Sequence, residues 1–225
     1  MITWSAAVLD SLIAPGFTKF THAEIPDLTE RFPQAPHWLG NFFLNSALRG
    51  RYKPTVQQVA IAYMRRSQQA FLAYHDARRA TLDYLDGGDP RNARIKAFYA
   101  AVALWENLTL QNAMAIDLYN WFSRPERAFG KNDGSKEQRL YTIANHVKHV
   151  GSCVDSGQCT EQDTLPLWLA NDGLRSFGVT VSFGEVSEVL VAVAALADLL
   201  QDPLAARDTA SKEPGGAGVS NREHE

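Results

Sequence analysis

Two long stretches of this chain repeat apolar residues at helical intervals. From Thr55 to Leu85, the residues Val56, Val59, Tyr63, Ala70, Phe71, Tyr74, Leu82 and Leu85 keep near-helical spacing. From Arg91 to Phe122, Phe98, Val102, Trp105, Leu108, Ala115 and Tyr119 do the same. Pro54 suits a helix start, because its missing N–H is one that the first turn would leave unpaired anyway. "DGGDP" at 86–90 is a stop followed by a tight turn, so the two helices should fold back on each other as an antiparallel hairpin.

The remaining pattern is more broken. Pro15, Pro26, Pro33 and Pro36 limit residues 1–53 to short helices, of which "HWLGNFFLNSAL" is one, with aromatics that should dock on the main body. Ser135, followed three residues on by Gln138, has the spacing of a capping box and predicts a third helix that ends near Gly151. Asn171-Asp172-Gly173 supplies residues tolerant of positive φ between β-formers, which predicts a minor β-hairpin near 166–181. Ser182 and Glu185 form a second capping box; the helix they open, 183–201, is apolar nearly all round and should be buried. The fold class expected is all-α: a helical bundle in one domain, 1–202. The tail, 203–225, lacks the apolar content to fold and reads as disordered.

Composition narrows this only a little. The chain has 225 residues, 45% hydrophobic and 21% charged, and a formal charge of −3, too small to argue for or against a polyanionic partner. Two cysteines, Cys153 and Cys159, are too few for a disulfide framework. The start lacks a basic leader region, and the most apolar run, "VLVAVAALADLL", is interrupted by Asp198 and short of a bilayer span. A cytoplasmic protein with reduced thiols and no membrane partner is the expectation.

Candidate chemistry concentrates in the third helix, "RLYTIANHVKH" at 139–149. Ile143, Val147 and Val150 form one stripe, while Thr142, Asn145, His146 and His149 form the adjoining one. These polar groups can converge in a crevice, or simply solvate a helix flank. Arg139 and His146 enclose the six residues "LYTIAN". A helical bundle carrying such an arginine–histidine motif resembles the HEPN (higher eukaryotes and prokaryotes nucleotide-binding) superfamily. Leu140 departs from the polar residue usual beside the arginine. In the other register, Asn145 and His149 match and Ala144 replaces the arginine.

The resemblance implies a homodimer, with two motifs paired across its axis. Members with an intact motif are commonly metal-independent ribonucleases, in which the histidine moves a proton and the arginine stabilises charge on phosphate. Other members bind RNA or protein partners without cleavage. Given the displaced motif, the leading expectation is a degenerate, non-catalytic binder of a protein partner or RNA. A ribonuclease of toxin or defence type, using Arg139, His146, Asn145 and His149, is the alternative.

Three further patterns bear on function. His146, His149, Cys153 and Cys159 are zinc-type donors, but their spacing fits no familiar site; a small zinc-stabilised protein is a third reading, and no metal is expected. No Glu-x-x-His pair, Walker loop, G-x-G-x-x-G or G-x-S-x-G occurs, so no cofactor is expected. Finally, Arg65, Arg66, Arg78 and Arg79 lie in a stretch from Arg49 to Arg79 whose only acid is Asp76. Their thirteen-residue recurrence should return them to a similar helix face, suited to an RNA backbone or to pairing with acids such as Glu106 and Asp117.

Overall fold

The computed structural model describes residues 5–50, 52–87, 93–124, 127, 132–159 and 163–202. Its spine is the expected helix pair, α3 (Pro54–Asp86) and α4 (Ala93–Phe122). Contacts along the pair run antiparallel. Tyr84 meets Phe98 with ring centroids 5.6 Å apart, Trp105 Nε1 donates to Thr81 Oγ1 at 2.9 Å, and Tyr63 lies 6.4 Å from Tyr119. The buried faces carry Tyr63, Phe71, Tyr74 and Ala77 on α3, and Phe98, Trp105, Leu108 and Ile116 on α4. Removing such faces from water is what holds these helices, whose intrinsic propensity alone would leave them marginal.

The N-terminal third wraps this pair. It contributes α1 (Ala6–Leu12), short 3-10 turns at Phe17–Lys19 and Ala35–His37, α2 (Trp38–Phe42), and a π-helical stretch at Phe43–Ala47. Phe20 stacks on Tyr84 and Trp38 packs edge-on against Phe71. Its backbone is tied down by α3 side chains: Tyr74 Oη donates to Pro26 O at 2.7 Å and Arg78 Nε to Ile25 O at 3.1 Å.

The C-terminal third holds α5 (Lys136–Lys148), α6 (Val150–Asp155), a three-stranded sheet and α7 (Phe183–Gln201). Both predicted caps are present: Ser135 Oγ accepts from Gln138 N, and Ser182 with Glu185 forms the full reciprocal box. Three expectations need correction. First, the motif helix does not run on to Gly151. His149, at φ −125° and ψ 37°, breaks it, and α6 starts afresh.

Second, the fold is mostly helical rather than all-α. Strands β1 (Trp168–Ala170), β2 (Gly173–Ser176) and β3 (Val179–Ser182) form an antiparallel meander, with Leu169, Leu174 and Val181 side by side on its buried face. The expected hairpin is present as β1–β2, turning at Asn171-Asp172, but none of residues 171–173 has positive φ; that conformation falls at Phe177-Gly178 (φ 31° and 80°), between β2 and β3. Gly173 is instead required for space: a Cβ there would lie 2.1 Å from Val181 O.

Third, α7 is buried along one face only, since Leu199 is 50% exposed. Ala192 and Ala195 face outward and made the sequence read as apolar all round. Asp198, which interrupts that run, accepts from Trp38 Nε1 at 3.0 Å and from the Gln201 amide at 2.6 Å. The expected disordered tail lies outside the described residues. Among the described residues, no helix is long and apolar enough to cross a membrane.

Candidate functional site

Helix α5 is the hub. Its N-terminal half is fastened to the sheet and to α7 by Arg139. That guanidinium donates through Nε to Gly134 O (3.2 Å), through one terminal nitrogen to Thr180 O (2.7 Å), and through the other to Glu185 Oε1. Glu185 is also the capping carboxylate of α7, accepting from the Ser182 N–H at 3.0 Å. Burial pushes the Glu185 carboxyl up, but the Arg139 hydrogen bond and those from Ser182 outweigh it and leave the group below its ordinary range. Arg139 thus closes a junction between three elements.

About two turns on, His146 is buried against β2. Ser176 Oγ donates to Pro166 O at 2.5 Å, so it has only lone pairs to offer His146 Nδ1, which lies 2.8 Å away. The imidazole is therefore held as the Nδ1–H tautomer. Phe177 lies over the ring at a centroid distance of 5.2 Å, its backbone forced to positive φ by the turn. Burial lowers the His146 pKa, which keeps the ring neutral near pH 7. His146 lines a shallow groove of about 460 Å³ with Asn145, His149 and Cys153. With Nδ1 turned inward to Ser176, Nε2 is the nitrogen left for that groove.

Asn145 and His149 are exposed, and the His149 N–H donates to Asn145 O at 2.9 Å, closing α5. Of the four motif residues, the fold brings Asn145, His146 and His149 to one groove and leaves Arg139 outside it. Arg139 and His146 start about 10 Å apart along the axis, seven residues at 1.5 Å each.

A larger polar groove, about 760 Å³, opens on the other flank of the same ridge. α4 lends it Asp117, Asn120 and Trp121, the turn that follows adds Arg124, and α5 lends Gln138, Tyr141, Thr142 and Asn145. Both sets have the spacing i, i+3, i+4, i+7, one face of each helix. That pattern is legible in the sequence, but polar residues at helical spacing read as a solvated flank until a second such face is placed opposite. Arg127 and Asn132 complete the lining, and Tyr141 Oη donates to Asp117 Oδ2 at 3.2 Å.

The arginines of α3 are mostly committed elsewhere. Arg66 donates to Gln111 Oε1 at 2.8 Å, Arg78 pairs with Asp27 at 3.1 Å, and Arg79 with Asp76 at 2.6 Å. Their partners are thus neither Glu106 nor Asp117. Thirteen residues turn a helix by about 220°, so Arg65 and Arg78 do not share a face. Arg65 and Arg79 are exposed, while Arg66 and Arg78 are half-buried.

Among the described residues no three His, Cys, Asp or Glu side chains are grouped to hold a metal ion, and Cys153 and Cys159 are free thiols. The four zinc-type donors read from the sequence are therefore not gathered at one point. No protein-family model matches the chain, no curated protein matches it, and no solved structure does, so its chemistry rests on the two grooves flanking α5.

Proposed function

We propose that the chain is a degenerate, non-catalytic HEPN-like protein that binds a partner chain or RNA through the exposed flank of α5, as a homodimer. The observation that supports this most directly is the engagement of Arg139. Its three donor nitrogens serve Gly134, Thr180 and Glu185, so stabilising a phosphate would cost three bonds that hold the fold together. The residues α5 offers outward, Thr142 and Asn145, line both grooves and suit recognition better than proton transfer. The homodimer comes from the family resemblance.

Two measurements test this reading. Light scattering over a wide concentration range should give a dimer, and a strictly monomeric protein would remove that part. A gel shift with total RNA in EDTA should show salt-sensitive retention without cleavage. If the RNA is neither retained nor cut, RNA leaves the proposal and a protein partner stays.

One observation favours a second reading, the metal-independent ribonuclease. Neutral His146, with Nδ1–H fixed by Ser176, presents Nε2 as a base toward a groove. In that case the wild-type protein cleaves RNA in EDTA, His146→Ala abolishes cleavage and Cys153→Ser does not affect it.

A further inference from the structure

The chain has two thiols, Cys153 in α6 and Cys159 just beyond its end, and both are free. The turn between them doubles back. Gly157, at φ 70°, takes the left-handed conformation that ends many helices. Around it, the Gly157 N–H donates to Val154 O and the Gln158 N–H to Cys153 O, each at 3.0 Å. This pair of bonds is the Schellman arrangement, which sets the second residue past the turn beside the third from the helix end. Cys159 is the immediate neighbour of Gln158, so it lies one peptide step from Cys153's own bonding partner. The thiols also act on each other. Burial, and then Cys153 and Asp163, push the Cys159 thiol up, and the effect of Cys153 needs the two sulfurs close. Cys159 is half-buried and within reach of solvent, whereas Cys153 is 5% exposed and lines the groove beside His146 and His149.

We infer that Cys153 and Cys159 form a reversible internal disulfide, made by exchange with a small disulfide such as oxidised glutathione, and that this bond locks the α6 wall of the groove beside His146. A disulfide spans Cα atoms about 4.4–6.8 Å apart, so it forms readily only where the backbone already doubles back. The Cys159 thiolate, the more accessible, attacks one sulfur of oxidised glutathione. A Cys159–glutathione bond forms, the glutathione disulfide breaks, and one glutathione thiolate leaves. The Cys153 thiolate then attacks the Cys159 sulfur, forming the internal bond and expelling the second glutathione. The two thiol protons end on the two glutathione molecules; the protein loses two electrons and glutathione gains them. A raised thiol is a slow nucleophile, which suits equilibrium with a thiol–disulfide buffer better than rapid attack on peroxide. Cys153, Ser156 and Gln158 all line the groove, so the bond ties that wall into one closed loop. The inference goes beyond the binding reading above and does not rest on it.

Equilibrating the full chain in EDTA with buffers of reduced and oxidised glutathione, then quenching in acid, alkylating and weighing it, tests the bond. The expected product is a monomer lighter by two hydrogens, with no thiol left to alkylate. Cys153→Ser should stop at the intermediate and accumulate one glutathione on Cys159. In Cys159→Ser, the remaining Cys153 should alkylate at least about tenfold more slowly than Cys159 does in Cys153→Ser, because it is buried. Gly157→Val puts a β-branched residue at positive φ and should lower the ratio of closed to open protein by about tenfold, the scale of one left-handed residue. In NMR spectra, the His146 ring signals should shift on oxidation of the wild type and stay in place in both serine variants. The wild-type masses need no variant, and unchanged circular dichroism will show that the variants fold.

The inference is overturned if the wild type collects stable glutathione adducts or disulfide-linked dimers in place of the internal bond. It is equally overturned if Gly157→Val closes as readily as the wild type, or if the His146 signals do not move when the bond forms. The two proposals fail separately. A chain that closes the disulfide but binds neither RNA nor a protein partner loses only the earlier reading, whereas one that binds a partner but never closes it loses only this inference.

Discussion

Arg139 and His146 are two motif residues with opposite accounts. Arg139 faces three acceptors from three segments, and its side chain is about one-third exposed, 32%, as is that of Glu185. Solvent screens part of the ion pair, so Arg139→Ala should cost about 1–2 kcal/mol, most of it from the unpaired Thr180 and Gly134 carbonyls and the loosened cap. Arg139→Lys should not restore it, because a single ammonium cannot serve a fork of three acceptors. Urea midpoints of the two variants check this; an unchanged midpoint for Arg139→Ala would release the arginine for a chemical role. The depressed Glu185 carboxyl carries a sign. Its contribution is fully present above its unfolded value near 4.5 and is lost as pH falls through its lower folded value, so Glu185→Gln should flatten the acid limb of the stability profile. His146 is also depressed, by burial, and its effect begins higher. Stability should decline as pH drops below about 6.5, because the unfolded chain takes up the proton first. The His146 ring signals in an NMR titration should move at a midpoint below 6.5, and a midpoint at or above it would contradict the buried, Ser176-bonded setting.

Among the elements, those specified by neighbours in sequence were legible and those specified across the chain were not. α3, α4 and α7 begin and end within a few residues of where periodicity, Pro54 and the Ser182–Glu185 box put them, because every such signal acts within one or two turns. The β-structure expected near 166–181 covers Val179-Thr180-Val181, but as part of one hairpin and not as a third strand. The pairing of β3 with β2 depends on a two-residue turn at Phe177-Gly178, and a phenylalanine at positive φ is not a turn signal. The role of Gly173 was misassigned for a related reason. It looked like a conformational glycine, and only the approach of β3 shows it to be a steric one. Likewise the link from Arg139 to Glu185 crosses 46 residues, so a cap visible in sequence gave no hint of its second partner. Gly173→Ala must part β2 from β3, since the obstacle at 2.1 Å is backbone. It should destabilise by about 1–3 kcal/mol or more. Gly178→Ala adds only the cost of a left-handed residue in open space, about 1–2 kcal/mol. Paired urea denaturation of these variants should rank Gly173→Ala as the worse, and the reverse order would mean that the strands are not paired in this register.

On the scale of the whole molecule, the buried polar side chains among the described residues sort into those that join segments and two, Ser67 and Asn112, that have no hydrogen-bond partner. Tyr63 Oη donates to Val193 O at 2.7 Å across to α7, and Trp105 reaches Thr81 across the helix pair. These bonds fix which helix faces which. Asn112, 1% exposed on α4, has no hydrogen-bond partner for either amide atom among the described residues. It sits at the level of Arg66, whose guanidinium bonds the adjoining Gln111, and therefore near the middle of the α3–α4 interface. An amide buried without partners costs about 1–3 kcal/mol, while an apolar side chain of similar volume in the same place adds transfer free energy instead. Asn112→Leu should therefore raise the urea midpoint, by the equivalent of about 1–3 kcal/mol, without changing the m-value that reports the surface exposed on unfolding. Asn112→Ala removes the same amide but opens a cavity, and should gain less or lose outright. If Asn112→Leu instead lowers the midpoint, the amide has a partner, such as an internal water bridging the two long helices, and the polar layer at the centre of the bundle is part of what holds them in register.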